Sequence, residues 1–119
     1  MLPRWEIAEP VPAAPGQGPE PSARVAAFER MAFGMFLHYG LYSQLGAGEW
    51  AMNHQKLPPA RYLELMKTFT AGDFSGRELA RTAKRAGMRY ITLTSRHHDG
   101  FSLYDTRGLS PWDVTKTPA

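Results

Sequence analysis

Two runs of apolar residues stand out along the chain, and both predict short strands. The first run covers residues 33–38 and ends at His38, and the second covers residues 88–94 and ends just before Ser95. Strands of a parallel sheet are usually covered on both faces, so they are nearly continuous in apolar residues instead of alternating with polar ones. The pattern therefore predicts two buried strands of a parallel sheet.

Helical patterns flank and separate these strands. Small and apolar residues over 22–31 predict a short helix, and the proline pair 58–59 opens a second, because proline is tolerated in the first helical turn. Residues 75–78 have the sequence of a capping box for a third helix, which Gly87 is expected to end. In that third helix, the positions predicted to face a core are Leu79, Ala83 and Ala86.

The segment between the first strand and the second helix is polar and rich in glycine. It covers residues 39–57 and is predicted to be a long loop without regular structure. Connections of this length in a compact domain are uncommon and are more often functional than idle.

The order of elements predicts an α/β fold in which helical crossovers join parallel strands. A closed (β/α)₈ barrel needs about 250 residues, whereas this chain has 119. Two strands alone do not make a stable parallel sheet. We therefore expect the N-terminal portion of a (β/α)₈ TIM-like barrel, incomplete as given. Its first βα units would occupy residues 22–119, after a mobile Pro- and Gly-rich segment over residues 1–21.

Composition excludes several classes of protein. The net charge of +3 is mild, and the sequence has no basic stripe with interleaved aromatic residues, so no nucleic-acid partner is expected. The absence of cysteine excludes disulfides and thiolate–metal sites. No apolar run reaches the roughly 18 residues of a membrane span. No signal peptide is recognisable, which leaves a cytoplasmic location as the expectation.

Polar and aromatic side chains follow both predicted strands, where the carboxyl ends of parallel strands meet at one rim. Neutral imidazole offers one hydrogen-bond donor and one acceptor, which matches the hydroxyl groups of a sugar. A carboxylate accepts from such hydroxyls, and an indole covers the apolar face of a pyranose. The sequence therefore predicts a carbohydrate pocket. Its candidate residues are His38, Glu49, Trp50, His97 and His98.

Two other readings stay open at this point. A metal-dependent hydrolase would use His38, His97 and His98 as ligands. Against this, adjacent residues of an extended chain point to opposite sides, and no H-E-x-x-H spacing is present. A non-catalytic carbohydrate-binding module would keep the sugar contacts without the chemistry. Among the remaining polar residues, His54 is predicted to be structural or at the surface. The predicted turn residues are Asp99, Asp105 and Asp113.

Four motifs, in this order, resemble the N-terminal motifs of the α-L-fucosidase family of retaining glycoside hydrolases. They occupy residues 33–43, 48–50, 86–90 and 93–101, and the similarity runs from about residue 27 to residue 113. The resemblance implies a glycoside hydrolase barrel, often followed by a β-sandwich domain. It also implies hydrolysis of terminal α-L-fucosyl residues of a fucosylated glycan or fucoside by double displacement, with no metal and no cofactor.

The resemblance also implies that His38, Glu49, Trp50, His97 and His98 contact the fucose. Two departures are visible: Tyr39 stands where the family usually has tryptophan, and the segment before Gly48 is about one residue longer. None of the eleven Asp and Glu residues matches the family's nucleophile. A retaining glycosidase needs two carboxyl groups about 5–5.5 Å apart. The nucleophile and the acid/base are therefore expected beyond Ala119, and the remainder of the barrel is the expected partner of this chain.

Overall fold

The computed structural model describes residues 21–119, and contacts divide the chain into two compact units, Met1–Arg30 and Met31–Ala119. Helix α1, Ala23–Met31, confirms the helix predicted over residues 22–31, and none of its residues is buried. The mobile segment predicted over residues 1–21 lies almost entirely outside the described residues. Every helix within residues 21–119 is too short or too polar to cross a membrane.

The second unit contains a parallel pair of strands, which confirms the predicted pairing. Strand β1 is Gly34–Leu37 and strand β2 is Tyr90–Leu93. The register places Gly34 opposite Tyr90 and Leu37 opposite Leu93, so both strands begin and end together. The ring of Tyr90 lies over Gly34, where any Cβ would overlap it. Glycine at this position therefore lets the two strands approach.

The segment 39–57 is not structureless, so that prediction was wrong. It contains a 3₁₀ helix, Leu41–Leu45, and a short α-helix, α2, Ala51–His54. Elements this short carry too little periodicity for a sequence pattern to reveal them. They are held by burial instead, because the side chains of Leu41 and Ala51 are completely removed from solvent.

The proline pair does open a helix, but that helix is short. Helix α3 covers Pro59–Leu63, with Pro59 in its first turn, and a 3₁₀ helix, Glu64–Lys67, continues it. The proline ring fits this place because its missing N–H would have no partner inside the helix. Tyr62 lies in α3, and its ring is buried.

Helix α4, Gly76–Arg85, precedes β2 and has the predicted ends. The Ser75 hydroxyl accepts a hydrogen bond from the Glu78 backbone N–H at 3.3 Å. The Glu78 carboxylate instead accepts from Arg81 at 2.6 Å, so only one half of the predicted capping box is seen. Gly87 adopts a left-handed conformation with φ of 75° just after the helix, as a C-terminal stop requires.

The hydrophobic core lies beside the sheet and not within it. Of the three positions of α4 predicted to face a core, Ala83 is buried and Leu79 is half-buried, but Ala86 is exposed. The buried core cluster comes from α3, from the segments on either side of it and from the segment after β2. It consists of Leu41, Tyr42, Ala51, Tyr62, Phe69 and Phe101.

The strands themselves are less buried than their apolar sequences predicted. Phe36 of β1 is 65% exposed, and Ile91 of β2 is 39% exposed. Within the described residues the sheet has only these two strands, so each has one edge without a strand partner. The prediction of burial on both faces is wrong for residues 21–119, because a two-stranded sheet has too few neighbours to cover it.

The segment after β2 folds around one buried carboxylate. Asp113 is 1% exposed, and its oxygens accept hydrogen bonds from the backbone N–H and hydroxyl of both Thr106 and Thr115, over 2.5–3.1 Å. The prediction of a simple turn residue was therefore wrong for Asp113. It was right for Asp105, which accepts only a local bond from the Arg107 N–H. Hydrogen bonds lower the pKa of Asp113 to about 2; the bond from Thr106 has the largest effect, and the bond from Thr115 the next largest.

We expect the 119-residue chain, produced alone, to self-associate and to lack a cooperative thermal transition as a monomer. Exposed apolar strand faces and unpaired edges are templates for association with other chains. Light scattering after size exclusion and differential scanning calorimetry test this expectation. A monomer with a sharp calorimetric transition would contradict it.

We expect Asp113→Asn to increase amide hydrogen exchange severalfold in residues 102–117 at pH 7. The carboxylate of Asp113 accepts four hydrogen bonds, and an amide cannot replace all of them. A carboxyl whose pKa is lowered by folding stabilises the folded state above its unfolded pKa near 4, and this contribution fades as the pH falls towards 2.

The difference between the wild type and Asp113→Asn should therefore shrink between pH 4 and pH 2, after correction for intrinsic exchange rates. Asp105→Asn is the matched control, because Asp105 accepts only its local turn bond. Equal protection of the Asp113→Asn variant and the wild type at pH 7 would refute the role of this carboxylate.

Candidate active site

The common end of β1 and β2 brings two of the predicted residues together. The Thr94 N–H donates to the Leu37 carbonyl at 3.0 Å, which extends the strand pairing by one step. Beyond this bond both segments leave the sheet: His38 follows β1, and His97 follows β2. Their imidazole rings meet edge to face, with centroids 5.1 Å apart.

His97 lies at the centre of a cluster of aromatic rings. Its ring makes edge contacts with Trp50 at 5.6 Å, His98 at 4.8 Å and Tyr42 at 5.8 Å between centroids. The Nδ1 atom of His97 is buried and has no hydrogen-bond partner among residues 21–119. A buried polar atom without a partner costs free energy, so this nitrogen is suited to a hydrogen bond from a ligand or a water molecule.

Trp50 and His98 form a parallel stack. Their ring centroids are 4.6 Å apart at an interplanar angle of 26°. Trp50 sits at the start of α2, where its carbonyl accepts from the N–H groups of Asn53 and His54, both at 2.9 Å. Trp50 remains 42% exposed, so part of the residue is open to solvent beside the His98 ring.

A cleft of about 450 Å³ opens beside this stack. It holds Glu49, Trp50 and His98 of the predicted set, together with a second carboxylate, Asp99. His38 and His97 are not part of its lining, although His97 contacts the rings of Trp50 and His98, which are. The other residues that line it are Met52, Asn53, Lys56 and Leu57.

Both oxygens of Asp99 are engaged with protein groups. Oδ1 accepts from the Phe101 backbone N–H at 3.1 Å, which confirms the predicted turn role of Asp99. Oδ2 accepts from the Tyr62 hydroxyl at 2.6 Å. Burial, and then the bond to Asp99, raise the pKa of the Tyr62 hydroxyl far above its usual value, so it remains a hydrogen-bond donor.

Two tyrosines near the site were not predicted as parts of it. Tyr42 packs on His97, and its hydroxyl lies 3.4 Å from Thr94 Oγ1. Burial raises the pKa of Tyr42. The sequence placed Tyr42 in a loop and Tyr62 on the apolar side of a helix, and neither pattern indicates a contact with a residue more than thirty positions away.

Two further expectations can be located. Tyr39 stands at the position where the family usually has tryptophan. Its ring packs on Phe69 and Phe74, with centroids 5.6 and 4.7 Å apart, so the exchange of tryptophan for tyrosine affects packing at the core. His54 is exposed, as predicted.

Across residues 21–119, no three His, Cys, Asp or Glu side chains are grouped so as to hold a metal ion. This grouping would be needed for the metal-site reading of His38, His97 and His98.

Comparison with known proteins gives one consistent answer. The family model described as alpha-L-fucosidase matches residues 19–119. The human plasma alpha-L-fucosidase is 31% identical over 105 residues, covering 73% of this chain and 22% of the human protein. The chain thus spans about a fifth of the length of that relative.

Solved structures agree. The alpha-L-fucosidase isoenzyme 1 from Paenibacillus thiaminolyticus matches with a TM-score of 0.75 and 37% identity, over 82% of this chain and 23% of that one. An alpha-L-fucosidase from Bacteroides thetaiotaomicron, trapped as a covalent intermediate in complex with 2-fluoro-fucosyl fluoride, matches with a TM-score of 0.77 and 28% identity, over 88% of this chain and 26% of that one.

The family match covers all of the second unit, including both strands and every ring of the His97 cluster. This chain therefore belongs to the α-L-fucosidase family.

Proposed function

We propose that this chain is the N-terminal portion of the catalytic (β/α)₈ barrel of an α-L-fucosidase that removes terminal α-L-fucosyl residues from fucosylated glycans or fucosides. The observation that carries the proposal is the cluster of His38, Trp50, His97 and His98 at the common end of two parallel strands. In barrel enzymes, substrates bind at this end of the strands.

The cluster matches the chemistry of a deoxy sugar. The imidazoles of His38, His97 and His98 offer donors and acceptors for the ring hydroxyls, and His98 is the one of the three that lines the cleft. Glu49, in the same cleft as Trp50, accepts from hydroxyls. The exposed part of the Trp50 indole covers an apolar face of the sugar ring.

The bond-breaking step needs groups beyond this set. In a retaining mechanism, one carboxylate attacks the anomeric carbon while a second carboxyl group protonates the departing oxygen, and water then releases the sugar from the enzyme. Both oxygens of Asp99 are already engaged by Tyr62 and Phe101, which leaves Glu49 as the available carboxylate of the cleft. One carboxylate cannot fill both roles.

We therefore place the nucleophile and the acid/base in a longer polypeptide, beyond Ala119. The 22% coverage of the human relative supports this placement, and the covalent intermediate trapped in the Bacteroides enzyme supports the retaining mechanism. The uncovered edges of β1 and β2 would pair with the following strands of the same barrel. No metal and no cofactor enters this proposal.

The first test is sugar binding by the full-length product of the gene. We expect Trp50→Ala and His97→Ala each to weaken binding of L-fucose by about tenfold or more, since each removes a ring that packs in the cluster. Isothermal titration with L-fucose measures the effect.

His54→Ala is the matched control, because His54 is exposed and is expected to leave the affinity unchanged. Wild-type affinity in Trp50→Ala and His97→Ala would overturn the assignment of the pocket. Binding of L-fucose without hydrolysis of any fucoside would indicate a carbohydrate-binding module instead.

The second test concerns the catalytic groups. We expect the isolated 119-residue chain to show no hydrolysis of an aryl α-L-fucoside, and the full-length gene product to be active, because the described residues 21–119 bring only one available carboxylate to the cleft. Release of the aryl group is followed by absorbance, and the reading frame after codon 119 is sequenced. Turnover by the purified 119-residue chain that is lost in His97→Ala would refute this proposal.

A further inference from the structure

One hydrogen bond connects the buried core to the segment that carries the paired histidines. The Tyr62 hydroxyl donates to Asp99 Oδ2 at 2.6 Å, across 37 positions of the sequence. Tyr62 is only 1% exposed. Asp99 directly follows His98, so the bond acts one residue from the ring that stacks on Trp50.

The donor end of this bond is rigid. Tyr62 lies in α3, where its backbone N–H donates to the Pro58 carbonyl at 3.0 Å. Its ring belongs to the same core cluster as Phe69 and Phe101. Close packing on all sides fixes the position of the hydroxyl, since a buried side chain has little room to change its rotamer.

The acceptor end would be mobile without the bond. Asp99 is only half-buried, and the next residue, Gly100, has a φ of 81°, a conformation that glycine adopts without strain. The other oxygen of Asp99 holds only the local N–H of Phe101, within the same turn. Within residues 21–119, the Tyr62 hydroxyl is therefore the side-chain contact that ties this carboxylate to a distant part of the sequence.

We propose that Tyr62 is a positioning residue of the sugar pocket: its hydroxyl, acting through Asp99, holds His98 against Trp50 and His97 in its ring cluster. This inference rests on the proposed function, because it assigns a role in the same pocket. The ring of Tyr62 packs the core, and its hydroxyl orients the two histidines.

Tyr62→Phe separates these two roles, because phenylalanine fills the same space without the hydroxyl. In the full-length gene product, we expect the dissociation constant for L-fucose to rise about three- to tenfold. We also expect the NMR signals of the His98 imidazole to lose most of the ring-current shift caused by Trp50. Both measurements are made well below the melting temperature, where the variant is fully folded.

Tyr39→Phe is the matched control. It removes a tyrosine hydroxyl from a ring that packs on Phe69 and Phe74 and that has no bond to Asp99. We expect wild-type affinity and a wild-type His98 shift in this variant.

A double-variant cycle tests whether Tyr62 acts through Asp99. Asp99→Asn should weaken L-fucose binding by a similar factor, and the Tyr62→Phe/Asp99→Asn double variant should be no weaker than the more affected single variant. Multiplying effects would overturn the proposed route through Asp99.

The outcomes also separate this inference from the proposed function. A lower melting temperature of Tyr62→Phe with unchanged affinity and an unchanged His98 shift would show a purely structural role and overturn the inference, while the proposed function stands. A wild type that binds no L-fucose, but whose His98 shift collapses in Tyr62→Phe, would overturn the proposed function and uphold the orienting role of Tyr62.

Discussion

The parallel register of β1 with β2 is the constraint on which the candidate site depends. Pairing Leu37 with Leu93 makes both strands end at the same level, and the bond from Thr94 to the Leu37 carbonyl continues the pairing to the last residue before the site. His38 and His97 are almost sixty positions apart in the chain, yet their rings meet at 5.1 Å. Backbone hydrogen bonds, rather than any contact between the imidazoles, create that meeting.

Carboxylates that accept several hydrogen bonds hold the irregular segments around this sheet. Asp113 gathers Thr106 and Thr115, and Asp99 joins Tyr62 to the turn at Phe101. In both places a carboxylate replaces the regular ladder of a helix or strand, because an ionised carboxylate can accept from several donors at once. The polypeptide near the site is thus fixed by polar contacts, while the core cluster lies to one side of the sheet.

The strands, their parallel pairing and the placement of His38 beside His97 followed from the sequence, because long apolar runs with polar ends carry a strong signal. The short helices Leu41–Leu45 and Ala51–His54 did not, since elements of four or five residues have no readable period. The bond from Tyr62 to Asp99 was also out of reach, because it joins positions that only the tertiary fold brings together. Burial of the strand faces was predicted wrongly for a related reason: an apolar run indicates what a strand is suited to pack against, not how many neighbours the given residues supply.

Gly34 and the ring of Tyr90 give the sheet a way to reject misalignment. A shift of β2 by one residue would turn its side chains to the opposite faces. A shift by two would keep the faces but press the Tyr90 ring onto a residue that has a side chain, instead of the bare backbone it now covers. Such a shift would also displace the end of β2 by about 6.6 Å, more than the 5.1 Å that separates the rings of His38 and His97. The absence of a side chain at Gly34 thus favours a single register, and the placement of the candidate site's side chains is decided at the opposite end of the strands.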